Sequence, residues 1–290
     1  MRIAIGIATM GRAPLLSETV RDLSRQSHPA DRIIICGASP ADYEGLQGLD
    51  GVELLISEPG STKQRNAIID VASDCDIILF LDDDFLLDVD YLRVFVDAFA
   101  NDPTIVSASG RVIADGINGP GFDFKTGMSL LNGKRPPPPV GGAVVDIPYG
   151  YGCNMAFRMA TLNGNALRFD ESLPLYAWYE DIDLMQRTGR HGRVVRLMNA
   201  IGVHLGTKRG RTSGRRLGYS QVANPVYLAR KGTYPWRSAV ESIAKNFTAN
   251  LVKSIRPEHY VDRRGRLFGN LLGLLDVARR TDRPDKILEL

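Results

Sequence analysis

The chain has 290 residues, 44% hydrophobic and 24% charged, which suits a large soluble α/β domain with an appendage and argues against a disordered or fibrous chain. No run of about eighteen apolar residues occurs, so no membrane-spanning helix is expected. Cys36, Cys75 and Cys153 are too scattered for a disulfide framework or a metal knuckle and fit packing residues in a reducing cytosol. The formal net charge of +3 hides a division: residues 1–204 carry 18 Lys/Arg against 26 Asp/Glu, and residues 205–290 carry 18 against 7. A tail that basic suggests an anionic partner (phosphate, nucleic acid or membrane lipid) or plainly solvated helices.

In chain order, Ile3–Ala8 reads as a first strand rather than a signal peptide, Pro14–Gln26 as a helix, and Arg32–Cys36 and Val52–Ile56 as strands. Ser61 is placed to cap a helix through Ser73, Asp76–Leu81 is a fourth strand, Asp90–Ala100 a helix and Ile105–Val112 a strand. Such alternation predicts an α/β fold with a mostly parallel sheet and helices on both faces. Residues 114–140, with the Pro136–Pro139 run, lose periodicity and read as an irregular excursion. Regular signals resume at Val144–Pro148, in a helix from Tyr179 to Gly189, and in short strands Val194–Leu197 and Ala200–His204. Beyond Lys208 the chain turns basic and helical. Trp236, Val240, Ile243, Phe247, Leu251 and Ile255 follow helical spacing, as do Leu267, Leu271, Leu274, Leu275 and Ala278 beside Arg263, Arg264, Arg266, Arg279 and Arg280. Stripes of this kind pack on a core or a partner helix, or lie in a membrane interface.

The most informative stretch is Ile77-Ile78-Leu79-Phe80-Leu81, an apolar run read as a strand buried on both faces, leading into Asp82-Asp83-Asp84. Ligands of open α/β sheets bind beyond the carboxyl ends of such strands, and adjacent carboxylates repel unless a cation lies between them. A hard divalent ion, Mg²⁺ or Mn²⁺, bridging to a phosphate meets that need; a solvated acidic turn is the plain alternative. His204 ends an apolar strand and can complete a divalent site with the aspartates, or can be a packed core histidine. Gly60-Ser61-Thr62-Lys63-Gln64-Arg65-Asn66 makes a helix N-terminus suited to phosphate, though not a P-loop. Glu180 and Asp181 open a helix, where the dipole favours carboxylates; alternatively Asp181 is a general base for an attacking hydroxyl. Lys208, Arg209 and Arg211 can neutralise a leaving diphosphate.

Taken in order, these pieces resemble the family 2 glycosyltransferases of GT-A fold. Thr9-Met10-Gly11-Arg12 is similar to the family's opening turn, Gly60–Asn66 to its G-x-x-x-A-R-N helix start, and Asp82-Asp83-Asp84 to its D-x-D motif. Tyr149-Gly150-Tyr151-Gly152-Cys153-Asn154 is similar to the strand before the acceptor site, and Phe169-Asp170-Glu171 with Glu180-Asp181-Ile182-Asp183-Leu184 to the F-D-E … E-D-x-D-L element. Gly37-Ala38-Ser39 departs from the pattern where an acidic residue often contacts the base, and no Gln-x-x-Arg-Trp motif follows, against a processive synthase.

The resemblance implies a catalytic domain over 1–207, nucleotide-binding over about 1–113 and acceptor-binding over about 114–207, followed by a basic helical region over 208–290. It implies inverting transfer of one sugar from a nucleotide-diphospho-sugar to a saccharide or lipid-linked acceptor, in the cytoplasm or on the inner membrane surface, in bacterial surface-polysaccharide synthesis. Mg²⁺ or Mn²⁺ would sit on Asp84, Asp82 and His204. The donor would be held by Thr9, Arg12, Arg65, Asn66, Asp82, Asp83 and Lys208, with Asp181 as base and Glu180 orienting the acceptor. No nucleic acid partner is expected, since nothing resembles a nucleic-acid module. The alternatives are a non-catalytic nucleotide- or membrane-binding module, a metal-dependent phosphatase or a nucleotidylyltransferase.

Overall fold

The computed structural model describes residues 1–133, 137, 142–208 and 213–290. They form two compact units. The first comprises Met1–Pro59, Lys63–Phe169 and Leu184–Gly210; the second comprises Gly60–Thr62, Asp170–Asp183 and Arg211–Leu290.

The sheet belongs to the first unit. Its elements in chain order are β1 (Ile3–Ala8), α1 (Ala13–Asp22), β2 (Arg32–Gly37), β3 (Val52–Ile56), α2 (Ser61–Val71), β4 (Ile77–Leu81), β5 (Phe85–Leu87), α3 (Tyr91–Asn101) and β6 (Ile105–Asp115). Then come α4 (Phe124–Leu131), β7 (Val144–Asp146), β8 (Asn154–Arg158), α5 (Met159–Gly164), α6 (Glu180–Thr188) and β9 (Arg193–His204). The first residues of α2 and α6 belong to the second unit. Strand order is β3-β2-β1-β4-β8-β6-β9-β5, with β7 also on β9.

Period-two alternation explains why the central strands are apolar throughout. Ile3, Ile5, Ile7, Ile77, Leu79 and Leu81 face one core with Leu16 and Val20 of α1 and Leu92 and Phe95 of α3. Ala4, Ile34, Cys36, Ile78 and Phe80 face the other, with Ile68 and Ile69 of α2 and Leu162 of α5. Helices therefore cover both faces, and β4 is buried along its whole length. The expected parallel pairing holds for β3-β2-β1-β4 and for β6 with β9. β8 runs antiparallel to both β4 and β6, and β5 and β7 run antiparallel to β9, so the sheet is mixed.

Two local expectations are corrected. Val194–Leu197 and Ala200–His204 are not two strands but parts of β9, which stays paired with β6 across an irregularity where Gly110 partners Leu197 and Arg111 partners Ile201. The segment 114–140 is not wholly irregular: Asp123 caps α4 by accepting from Thr126 N at 2.7 Å, and Phe124, Met128 and Leu131 pack on Leu86, Val203 and Leu205. Most of the Pro136–Pro139 run lies outside the described residues. The C-terminal stripes are helical, as expected; Ile243, Phe247 and Leu267 are half-buried, while Trp236, Val240, Leu251, Leu271, Leu274 and Leu275 are exposed.

Those stripes run along α8 (Trp236–Lys253) and α9 (Arg263–Arg279) of the second unit, which also holds α7 (Gly214–Lys231). Asp262 caps α9 through Gly265 N, and Gly232, at φ +79, ends α7 in the left-handed conformation glycine favours. α7 and α9 approach so closely that a Cβ on Gly218 would stand 2.1 Å from Arg266 O, and one on Gly269 2.1 Å from Arg215 O.

Candidate active site

The position of β9 assembles the site of the first unit. It pairs with β5 on one side and β6 on the other, so its last residue, His204, stands in register with Phe85 and with Asp115. Phe85 directly follows the three aspartates, which form the turn between β4 and β5, where Phe85 N donates to Asp82 O. Sheet pairing thus brings Asp82, Asp84, Asp115 and His204 together from three remote parts of the chain.

One donor atom from each of Asp82, Asp84 and His204 lies within 4.8 Å of the others. His204 Nε2 is 3.3 Å from Asp84 Oδ1 and 3.8 Å from Asp82 Oδ2. The other ring nitrogen, Nδ1, is 2.9 Å from Asp115 Oδ1. Asp115 is fixed in turn by Ile117 N and by the Tyr151 hydroxyl, which donates to Oδ2 at 3.0 Å. Asp84 Oδ2 accepts from Thr207 N at 2.7 Å, whereas Oδ1 is buried and faces His204 Nε2. Burial alone would lower the His204 pKa, but the bonds to Asp115 and Asp84 and the charge of Asp82 outweigh it and raise it to about 10.

A divalent ion fits the residues present. The donors are two hard carboxylate oxygens and an imidazole nitrogen, one of the oxygens is buried and faces that nitrogen, and a carboxylate holds the far side of the imidazole, as it does in many metal sites.

Asp83 does something else. It is 3% exposed and bonds the loop after β1 instead of His204. Its oxygens take the Thr9 hydroxyl and the Arg12 guanidinium, each at 2.7 Å, and its carbonyl takes Thr19 Oγ1. The structure therefore places Thr9 and Arg12 on Asp83, where they fix the loop after β1. Gln64 ties the same loop down by donating to Thr9 O and Cys36 O.

Arg65 lies under the cluster: it is 5% exposed, its Nη2 is 3.2 Å from Asp82 Oδ1, and its guanidinium lies over Phe169. Asn66 exchanges hydrogen bonds with the backbone of Phe169, donating to its oxygen and accepting from its nitrogen, and so holds structure. Lys208 Nζ donates to Gly116 O and Ile117 O, beside the end of β6. Arg209 and Arg211 lie outside the described residues. Asp115 and Tyr151 were not foreseen as site residues. A reading that ended the strand at Val112 left Asp115 in a loop, and no spacing signalled it.

The second unit carries Glu180 and Asp181 in the first turn of α6. Glu180 is buried, and Asp181 Oδ1 accepts from Ile182 N at 2.8 Å. The approach to them is strained, since Leu175, Ala177 and Tyr179 have φ of 58, 50 and 76 without being glycine. Helical anchors hold it. Asn224 donates to Trp178 O, the Tyr179 hydroxyl bonds Ser242 Oγ, and fully buried Asp183 takes Lys231 Nζ and the Thr233 hydroxyl. Asp170, at the base of the loop, takes Tyr227 and Lys231.

A family model described as glycosyl transferase family 2 matches residues 4–160, more than half of the chain. No curated relative matches the sequence. Among solved structures, the mannosyltransferase PcManGT from Pyrobaculum calidifontis, in complex with GDP-Man and Mn²⁺, superposes with a TM-score of 0.58 at 17% identity, over 97% of this chain and 86% of that one. S. aureus TarS 1-349 gives a TM-score of 0.54 at 15% identity, over 79% of this chain and 66% of that one. Its complex with UDP-GlcNAc gives 0.58 at 14% identity, over 95% and 81%. At such identities the likeness establishes a shared GT-A fold. The family match and the fold agree, and the chain belongs to glycosyl transferase family 2.

Proposed function

We propose that this protein moves one sugar from a nucleotide-diphospho-sugar to a hydroxyl of a saccharide or lipid-linked acceptor, with inversion and with a divalent ion, Mg²⁺ or Mn²⁺. The observation that carries the reading is the Asp82, Asp84 and His204 cluster at the end of a buried central strand, with Asp84 Oδ1 buried and turned to His204 Nε2. Complexes of similarly folded proteins with GDP-Man and UDP-GlcNAc support a donor of this class.

Asp84, Asp82 and His204 would hold the ion, which when bound draws charge from the leaving diphosphate. Arg65 and Lys208 supply fixed positive charge for the donor, while Thr9 and Arg12 act through Asp83 and Asn66 through Phe169, positioning the loops that frame it. Asp181 takes the proton of the acceptor hydroxyl as its oxygen bonds the anomeric carbon and the bond to the diphosphate breaks. Glu180 orients the acceptor. In this reading 1–207 is the catalytic domain and 208–290 a basic helical region whose contacts to residues 170–183 hold the Glu180–Asp181 turn. The lipid-linked acceptor and the basic C-terminal charge favour work at the cytoplasmic face of an anionic membrane, in surface-polysaccharide synthesis. Among the described residues no helix is long and apolar enough to cross a membrane.

Isothermal calorimetry with UDP and GDP, with and without Mn²⁺, tests the reading. Metal-dependent binding of one nucleotide, lost in Asp84→Ala, is expected; Asp181→Asn should keep that binding and lose turnover. Failure of uridine, guanosine and thymidine diphosphates alike to bind with metal present would sink it.

A further inference from the structure

Two of the C-terminal helices, α8 and α9, turn most of their large apolar side chains outward, whereas α7 buries Leu217, Val222, Val226 and Leu228. Of α9, the buried residues are Gly269, Asn270, Gly273 and Asp276, a small and polar stripe. On the opposite face Phe268, Leu271, Leu274 and Leu275 are 50%, 50%, 38% and 44% exposed. α8 repeats the pattern: it buries Ala239 and Asn250 and exposes Trp236, Val240, Leu251 and Val252 by 53%, 61%, 48% and 62%. Nine of the eighteen exposed large hydrophobics among the described residues fall between Trp236 and Leu275. Isolated exposed apolar residues need no account, but this concentration does.

The interior of the bundle shows that the arrangement is built. Asn250 Nδ2 donates to Asn270 Oδ1 at 2.8 Å and to Gln221 Oε1 at 3.0 Å, and Asn270 Nδ2 donates to Gly218 O at 2.7 Å. Amides therefore join α7, α8 and α9, and glycines let α7 and α9 touch backbone to backbone. Small residues and side-chain hydrogen bonds at helix contacts, with leucines turned outward, are how helices associate in lipid. Helical spacing also puts basic residues at both ends of the apolar face of α9, in the series Arg264, Phe268, Leu271, Leu275, Arg279. Lys245, Arg256 and Arg280 are exposed as well, and residues 205–290 hold 18 Lys/Arg against 7 Asp/Glu.

We infer that α8 and α9 form an interfacial docking surface for an anionic lipid bilayer, their outward leucines and aromatics entering the acyl boundary and their arginines and lysines meeting lipid phosphates. An anionic bilayer answers both halves of the surface, apolar and basic, whereas a second copy of the chain would bring the same positive charge against it. The helices lie on the membrane, since neither meets the length and apolarity needed to cross it. The inference deepens the membrane setting proposed above, but it stands on the second unit alone and not on the transfer chemistry.

Flotation of the full chain with vesicles tests it, comparing phosphatidylcholine alone with phosphatidylcholine plus phosphatidylglycerol. Binding to the anionic vesicles is expected, falling about tenfold or more in Leu271→Glu/Leu275→Glu, which alters residues already exposed, and weakening with salt in wild type. Nucleotide binding by calorimetry should be unchanged in that variant, which separates lost docking from lost fold. The inference is overturned if the wild type ignores anionic vesicles, or if the variant binds them equally. It is also overturned if light scattering shows a dimer that the variant abolishes, because a second copy then covers the face.

Discussion

Asp170→Asn probes the anchor of the loop that carries Glu180 and Asp181. Asp170 Oδ2 accepts from the Tyr227 hydroxyl at 2.8 Å and from Lys231 Nζ at 2.5 Å, and Oδ1 accepts from Ser172 N at 3.0 Å. Its side chain is 14% exposed. Burial pushes its pKa up, but Lys231 and Tyr227 outweigh burial and bring it from 3.8 down to about 2. At about 1.4 kcal/mol per pK unit, that preference for the folded state is worth about 2 kcal/mol. The sign follows from the depressed folded value: the stabilisation is fully present above the unfolded value of 3.8 and is lost as pH falls through about 2. Asparagine can still accept from Tyr227, and Lys231 keeps Asp183, so the variant removes chiefly the charge. Both tryptophans, Trp178 and Trp236, lie in the second unit, so their fluorescence in urea reads the stability of that unit. Wild type should exceed the variant by about 2 kcal/mol at pH 7, with the gap closing between pH 4 and pH 2. A gap that is constant across that range, or that widens on acidification, would refute the reasoning.

The other expectations concern single contacts. Asp115→Asn removes the carboxylate behind His204 and should weaken Mn²⁺ binding by about 10–100-fold in calorimetry; unchanged affinity would mean that His204 is no ligand. Arg12→Met leaves Asp83 buried without its cation and should cost about 3 kcal/mol in denaturant unfolding. Adding Asp83→Leu should recover much of that loss, and no recovery would show that Asp83 serves chiefly by holding Thr9. Gly269→Leu forces a side chain against Arg215 O and must part α7 from α9, so a loss of about 3 kcal/mol or more is expected in the tryptophan-monitored unfolding; a neutral result would mean that the close approach is dispensable.

What was legible in the sequence was what strand periodicity controls. The β4 run and its aspartates stood out because five apolar residues in sequence demand burial on both faces. In the turn that follows, Asp83 bonds Thr9 and Arg12 while Asp82 and Asp84 face His204. Those partners could not be read locally, since Asp83 and Arg12 are 71 residues apart and meet only through the pairing of β1 with β4. Asp115 was hidden for the same reason. The helix α4 escaped notice because Gly127 interrupts it; a Cβ there would strike Leu205 Cδ2 at 2.2 Å. In the C-terminal region helical spacing was plain, but spacing alone does not say which face of α8 and α9 is buried. The better signal was the glycine pair Gly269 and Gly273, small enough to mark the buried side.

The placement of His204 between β5 and β6 bears on how the protein matures. His204 is 89 residues from Asp115, and Asp84 is 123 from Thr207, so no fragment of the nascent chain can present the set of donors. Contacts of such long range are the slow ones to form, because loop closure must come before they stabilise anything. An ion that recognises the set therefore binds only a chain whose last strand has inserted. At a free concentration 100 times its dissociation constant it would add about 2.7 kcal/mol to the folded state. Metal supply would then act on the lifetime of the finished enzyme as well as on its turnover, and chelation would leave newly made chains the first to be lost.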